Sequence, residues 1–232
     1  LDTERRSNES KPSRPLTMAT TTKQSRVATS SNPLRCAILI SGSGSGMQAM
    51  LEHQQNPNCN HITTVVVSNK PAVAGIQRAQ NFDIPVEVVE LSSNLQGNER
   101  RLAHEIAIEQ VLQDYEVELI ILSGYMRLLS AEFVSRWESK IINIHPSLLP
   151  DFPGAHAHRD VIAAGVKKSG CTVHYVDAGM DTGEIIAQCE VEVADDDTEE
   201  TLALKVKQFE HILYPLVIDA IASGDFSSLN FG

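Results

Sequence analysis

No uncharged apolar run in this 232-residue chain approaches the ~18 residues that a membrane-spanning helix needs. The richest stretch, residues 212–222, is interrupted by Pro215 and Asp219. The 13 glycines follow no G-X-Y period, which excludes a collagen-like chain. The four cysteines, Cys36, Cys59, Cys171 and Cys189, are widely spread and form no C-x-x-C pair. Free thiols in a reducing compartment are therefore expected, not a disulfide framework. The glycine-rich segment lacks the Gly-Lys-Ser/Thr of a Walker A loop, and no serine sits in a G-x-S-x-G elbow.

What the chain has is ordinary globular composition, with 42% hydrophobic and 21% charged residues, so wholesale disorder is excluded. Its length suffices to bury a core without metal or disulfide staples. The net charge is −11, yet residues 1–35 carry seven basic and only three acidic side chains. The remaining body is thus strongly acidic and poorly suited to nucleic acid, whose affinity rests on phosphate contacts. Residues 1–33 are rich in Ser, Thr, Pro and basic residues, and are expected to form a disordered polar tail. A body at 34–226 and a short tail at 227–232 complete the expected division. Residues 18–35 contain no acid, as in a transit segment, so organelle import stands beside a cytoplasmic location. Met18 is a candidate natural start.

From Leu34 onward, strand and helix patterns alternate. Short apolar runs at 35–41, 62–68, 86–91, 117–123 and 140–144 read as buried strands. Helical segments are expected at 47–55, 73–81, 99–115 and 130–138. Two half-alternating strands at 170–177 and 184–193 follow, and then a long helix. Asp197 is its expected cap, with Glu200 completing a capping box. Leu202, Val206, Phe209, Leu213, Leu216 and Ala220 form its apolar stripe. Pro215 should kink it or begin a second segment. The alternation predicts an α/β fold: a doubly wound, mostly parallel sheet with helices on both faces and a late antiparallel region.

Three places could carry chemistry. Ser41-Gly42-Ser43-Gly44-Ser45-Gly46 lies between the first strand and first helix, where glycines admit a ligand and free N–H groups attract an anion. It reads equally well as a tight turn. Asn143 and His145 lie two apart at a strand end, so both side chains share one face where open α/β sheets place ligands. An amide donor beside an imidazole could stabilise an oxyanion and move a proton; a strand-end His bonded to its loop is the plainer alternative. Asp181, in a glycine-flanked loop, could orient that His or be a solvated turn carboxylate. His156-Ala157-His158 looks like a metal pair, but no third ligand follows at suitable spacing, so no metal is expected. Arg127 follows the fourth strand as a ligand contact or an ion-pair partner.

Several segments together resemble the phosphoribosylglycinamide formyltransferase (GAR transformylase) family of the formyltransferase superfamily. They are SGSGSGMQAM at 41–50, SNK at 68–70, SGYMRLLS at 123–130, NIHPSLLP at 143–150, GCTVHYVDAGMDTG at 170–183 and EHILYP at 210–215. The resemblance covers about residues 35–225. It implies a Rossmann-like formyltransferase fold and transfer of formyl from 10-formyltetrahydrofolate to the amine of 5'-phosphoribosylglycinamide, a step of purine synthesis. It implies that Asn143, His145 and Asp181 are catalytic, that Gly44, Ser45 and Gly46 hold the substrate phosphate, and that Glu210 contacts the same substrate. Arg101, Met126, Arg127, Leu128 and Leu129, with Asn143, would line the folate site. No metal is implied, and the protein would be a monomer or homodimer acting on small molecules. The family usually has Asn where this chain has Gly46. Methionyl-tRNA formyltransferase and formyltetrahydrofolate hydrolase share NIHPSLLP but are expected to carry a further domain. A non-catalytic binding module is expected to lack one of Asn143, His145 and Asp181.

Overall fold

The computed structural model describes residues 26–229. Seven strands form one sheet: β1 (Leu34–Ile40), β2 (His61–Ser68), β3 (Val86–Val88), β4 (Leu119–Leu122), β5 (Ile141–His145), β6 (Lys168–Tyr175) and β7 (Ile185–Glu192). Their spatial order is β3-β2-β1-β4-β5-β6-β7. β1 to β5 pair in parallel, and β6 and β7 join antiparallel. This is the doubly wound sheet with a late antiparallel region that the alternating pattern predicted.

The helices are α1 (Ser45–His53), α2 (Ala74–Gln80), α3 (Gly97–Asp114), α4 (Ala131–Arg136), α5 (Ala157–Ala164) and α6 (Glu199–Ser223). Among the described residues, none is long and apolar enough to cross a membrane. Two cores form because the strands are apolar on both faces. In β1, Cys36, Ile38 and Ile40 face α1 and α6, while Ala37 and Leu39 face α3 and α4. All five are fully buried. Burying such an aliphatic side chain stabilises by roughly 1.5–3 kcal/mol, which favours apolar residues at these five positions.

α5 has no counterpart in the sequence reading, where 156–158 was taken only as a possible metal pair. It is a two-turn helix closed by Gly165 in the left-handed region. Its short stripe, Ala157 and Val161, is too brief to stand out from loop sequence.

α6 begins one residue later than expected. Thr198 is the cap and forms a capping box with Thr201, displacing the Asp197/Glu200 assignment. Asp197 instead accepts bonds from the Ala194 N–H, the Thr201 hydroxyl and the Lys205 ammonium. The helix runs through Pro215 as one element. Tyr214, just before that proline, is buried and turns its hydroxyl to the carbonyls of Leu122 and Ile142, at 3.0 and 3.1 Å. This ties α6 to the carboxyl end of β4 and to the start of β5, at Ile142.

The expected tail divides at residue 26. Residues 1–25, and the end of the 227–232 segment, lie outside the described residues. Residues 26–33, assigned by composition to the tail, pack on the body. Arg26 makes a two-pronged ion pair with Glu118 at 2.7–2.8 Å. Ala28 is buried and donates its N–H to the Ala222 carbonyl. Composition missed this because only one small apolar residue and one long-range charge pair make the attachment.

Candidate active site

The parallel strands end in a row of loops, and the candidate residues converge there. In β5, Ile142 and Ile144 face the α1/α6 layer, leaving Asn143 and His145 on the opposite face. The antiparallel register sets Asn143 against His174 and His145 against Thr172.

His145 is buried, and each of its ring nitrogens faces an oxygen. Nε2 lies 2.9 Å from the Phe152 carbonyl, and Nδ1 lies 3.4 Å from Asp181 Oδ2. Asp181 Oδ2 also accepts the Gly154 N–H at 2.8 Å. The carboxylate therefore joins the 177–183 loop to the loop after β5. Asp181 adopts φ 54°, a left-handed conformation that aspartate tolerates better than most side chains. The loop after β5 is pinned from below. Thr172 Oγ1 donates to the Ser147 carbonyl at 2.6 Å and accepts the Leu149 N–H at 3.0 Å, while Gln188 donates to the Leu149 carbonyl.

The expected residues other than the buried His145, which lines neither, are found mostly in two cavities flanking the end of β5. One, of about 430 Å³, is lined by Arg101, Arg127, Leu128, Leu129, Asn143 and Asp181, along with His174. The other, of about 400 Å³, is lined by the whole 41–46 loop and Glu210. Met126 lines this second cavity and also, with Arg101, Arg127 and Leu128, a cavity beside the first.

The loop's geometry requires glycine at 44. It has φ +68°, and a Cβ there would come within 2.9 Å of the Gly75 backbone. Gly44 is also the N-cap of α1 and supplies no side-chain bond. The first N–H groups of α1 are thus left for an anion. At Gly46, an added Cβ would lie 3.0 Å from Ser123 Oγ. The glycine at this position is therefore paired with a hydroxyl across the cavity.

Residues not singled out from sequence also line the second cavity, notably His158, Lys207 and Ser123. Burial pushes the Glu210 carboxyl up to about 7, with the Lys207 ammonium pulling the other way. Burial likewise lowers the His158 imidazole. His174 was overlooked although it lies within a quoted motif. Its signal was the two-residue spacing in Thr172-Val173-His174, which puts it on the Asn143/His145 side once β6 pairs with β5.

A doubly wound sheet with an amide, an imidazole and a carboxylate grouped between two polar cavities is the architecture of a two-substrate group-transfer enzyme. Residues 34–218 match the family described as Formyl transferase. The chain belongs to that family. It is 44% identical over 182 residues to the phosphoribosylglycinamide formyltransferase of Bacillus subtilis (strain 168), covering 78% of this chain and 91% of the relative. The structure of the Brucella melitensis phosphoribosylglycinamide formyltransferase superposes with a TM-score of 0.77 at 43% identity, covering 83% of this chain and 97% of that one. Glycinamide ribonucleotide transformylase 1 from Symbiobacterium toebii gives a TM-score of 0.78 at 38% identity, covering 83% and 89%. The Homo sapiens trifunctional purine biosynthetic protein adenosine-3 is 42% identical over 190 residues, 82% of this chain but only 18% of that protein. The chain thus spans 14–19% of the length of the trifunctional relatives it matches.

Proposed function

We propose that this chain transfers a formyl group from 10-formyltetrahydrofolate to the amine of 5'-phosphoribosylglycinamide. One observation carries this reading. Asn143 and Asp181, the latter in contact with the buried His145, line a cavity with two arginines and apolar side chains, and Ile144 of the same strand lines a second cavity with an open helix N-terminus.

In this reading the 41–46 loop and the first turn of α1 take the phosphate through backbone N–H groups. Glu210 stands nearer the amine end of the same substrate. Arg101, Arg127, Leu128 and Leu129 hold the folate. The amine nitrogen bonds to the formyl carbon, the bond from that carbon to N10 breaks, and the proton released by the amine ends on N10. The formyl oxygen becomes an anion between these steps. An Asn143 N–H is the donor available to it; His145, whose ring nitrogens face the Phe152 carbonyl and Asp181, would release one of those contacts to act as a second. One such donor contributes roughly 100- to 1000-fold in rate. Asp181 holds the ring against reorientation and balances positive charge on it as the proton moves.

The test is a product assay on purified protein with both substrates. Formation of formylated ribonucleotide is expected. Formate release without ribonucleotide formylation would instead assign a hydrolase, and absence of turnover with intact binding would assign a binding module.

A further inference from the structure

A second polar cluster lies at the far end of the sheet from the candidate active site. His53 closes α1, His61 opens β2, Cys59 lies in the loop between them, and Asp219 comes from the last turns of α6. Their four ligand atoms all fall within 4.8 Å of one another. His53 Nε2 is 2.6 Å from Asp219 Oδ2, His61 Nε2 is 3.3 Å from Asp219 Oδ1, and Cys59 Sγ is 3.7 Å from that same oxygen. The two imidazoles stack with centroids 5.8 Å apart and planes only 12° from parallel, so they point the same way.

We infer that His53, Cys59, His61 and Asp219 form a zinc site. Zinc bonds of about 2.0–2.1 Å to nitrogen and oxygen and about 2.3 Å to sulfur imply tetrahedral edges of about 3.3–3.7 Å. The wider separations, up to 4.8 Å, would close by about 1 Å, while His53 Nε2 and Asp219 Oδ2, at 2.6 Å, would move apart. Two imidazoles, a thiolate and a carboxylate are a borderline-soft donor set. Calcium and magnesium prefer oxygen ligands throughout.

A second observation points to a missing partner. The His61 side chain is fully buried, and its Nε2 is aimed into the cluster at 3.3 Å from Asp219 Oδ1 without the alignment of a hydrogen bond. On the other side of the ring, the Gln54 amide sits 3.0 Å from Nδ1. Turning that amide over presents its oxygen to the Nδ1–H that a metal-bound ring carries, at the expense of the bond from the Thr63 N–H.

The site would act as a structural staple. It joins the rear of α1, whose front end opens the 41–46 loop, to the rear of α6, whose front half carries Lys207 and Glu210. It would also close the loop between α1 and β2.

The experiment uses the full chain, stripped with a chelator and then titrated with zinc alone. One zinc per chain is expected, with a melting temperature raised by about 5 °C at saturation. Cobalt in place of zinc should give thiolate-to-metal charge-transfer absorption. Cys59→Ser should lose that absorption, and His53→Gln should lose the thermal shift, while the metal-free forms of both melt near the metal-free parent. Substoichiometric zinc, or a thermal shift that survives in both variants, would overturn the inference. So would stoichiometric zinc that is abolished by His156→Ala, since the metal would then lie elsewhere.

Discussion

The side chain of His174 orients that of Asn143. His174 turns Nδ1 to the Tyr175 carbonyl at 2.8 Å, which makes that nitrogen the protonated one. Its Nε2 then carries a lone pair and lies 3.3 Å from Asn143 Nδ2. Burial holds the ring below its ordinary pKa, consistent with a neutral acceptor. One amide N–H of Asn143 is thereby engaged, the amide face is set, and the second N–H is left for substrate.

His174→Phe should keep the packing of β6 and lose this orientation. We expect kcat to fall about tenfold or more with the ribonucleotide KM within about twofold. His174→Gln, which can still accept from Asn143, should recover part of the loss. A KM effect without a kcat effect would remove His174 from this positioning role.

Asn143→Ala and His145→Ala should each lower kcat at least ~100-fold with melting temperature little changed. Asp181→Asn should also be severe, because asparagine tolerates φ 54° and the backbone is spared while the charge is lost. Asp181→Ala should lose stability as well. Stopped-flow rates and thermal melts separate the two effects, and near-normal kcat in Asp181→Asn would count against the charge.

Gly46 and Ser123 should behave as a coupled pair, given the 3.0 Å approach of an added Cβ to the Ser123 hydroxyl. Gly46→Asn alone should crowd the loop. Gly46→Asn combined with Ser123→Ala should bind ribonucleotide more tightly than Gly46→Asn alone. Coupling between such neighbours is typically 0.5–3 kcal/mol, roughly two- to 150-fold in KM. Additive effects across the four proteins would show that the two positions are independent.

Glu210 should weaken the fold as pH rises. Its carboxyl moves from 4.5 to about 7 on folding, so both states are protonated below the lower value and both ionised above the higher one. Between them the folded protein keeps a proton that the unfolded chain has released, and stability falls through that window. Glu210→Gln removes the penalty. Its gain in urea midpoint over the parent should be small near about pH 5 and full near about pH 8, while the ribonucleotide KM rises. An equal gain at both pH values would contradict the assignment.

Removing residues 1–33 should cost stability that removing residues 1–25 does not. Only the longer deletion takes away the Arg26–Glu118 pair and the buried Ala28. A partly buried ion pair and a small buried contact, at about 1 kcal/mol or less each, predict a drop of up to roughly 8 °C in melting temperature. Identical melting curves for the two truncations would mean that the 26–33 segment contributes nothing.

The sequence by itself determined the sheet, because strands buried on both faces must be continuously apolar and helices packed on one face must show a stripe. It also determined that Asn143 and His145 share a face, since side-chain alternation is local. It did not reveal α5, whose stripe spans barely two turns, or the true cap of α6, where Asp197, Thr198 and Glu200 are all competent by composition. Only tertiary structure decided which residues meet across the chain. His174 reaches Asn143 because β6 reverses direction and pairs in one particular register. Asp219 meets Cys59 from 160 positions away because α6 packs back across the sheet onto α1. Periodicity is a property of neighbouring residues, whereas these encounters depend on how whole elements dock, and no short-range pattern encodes that.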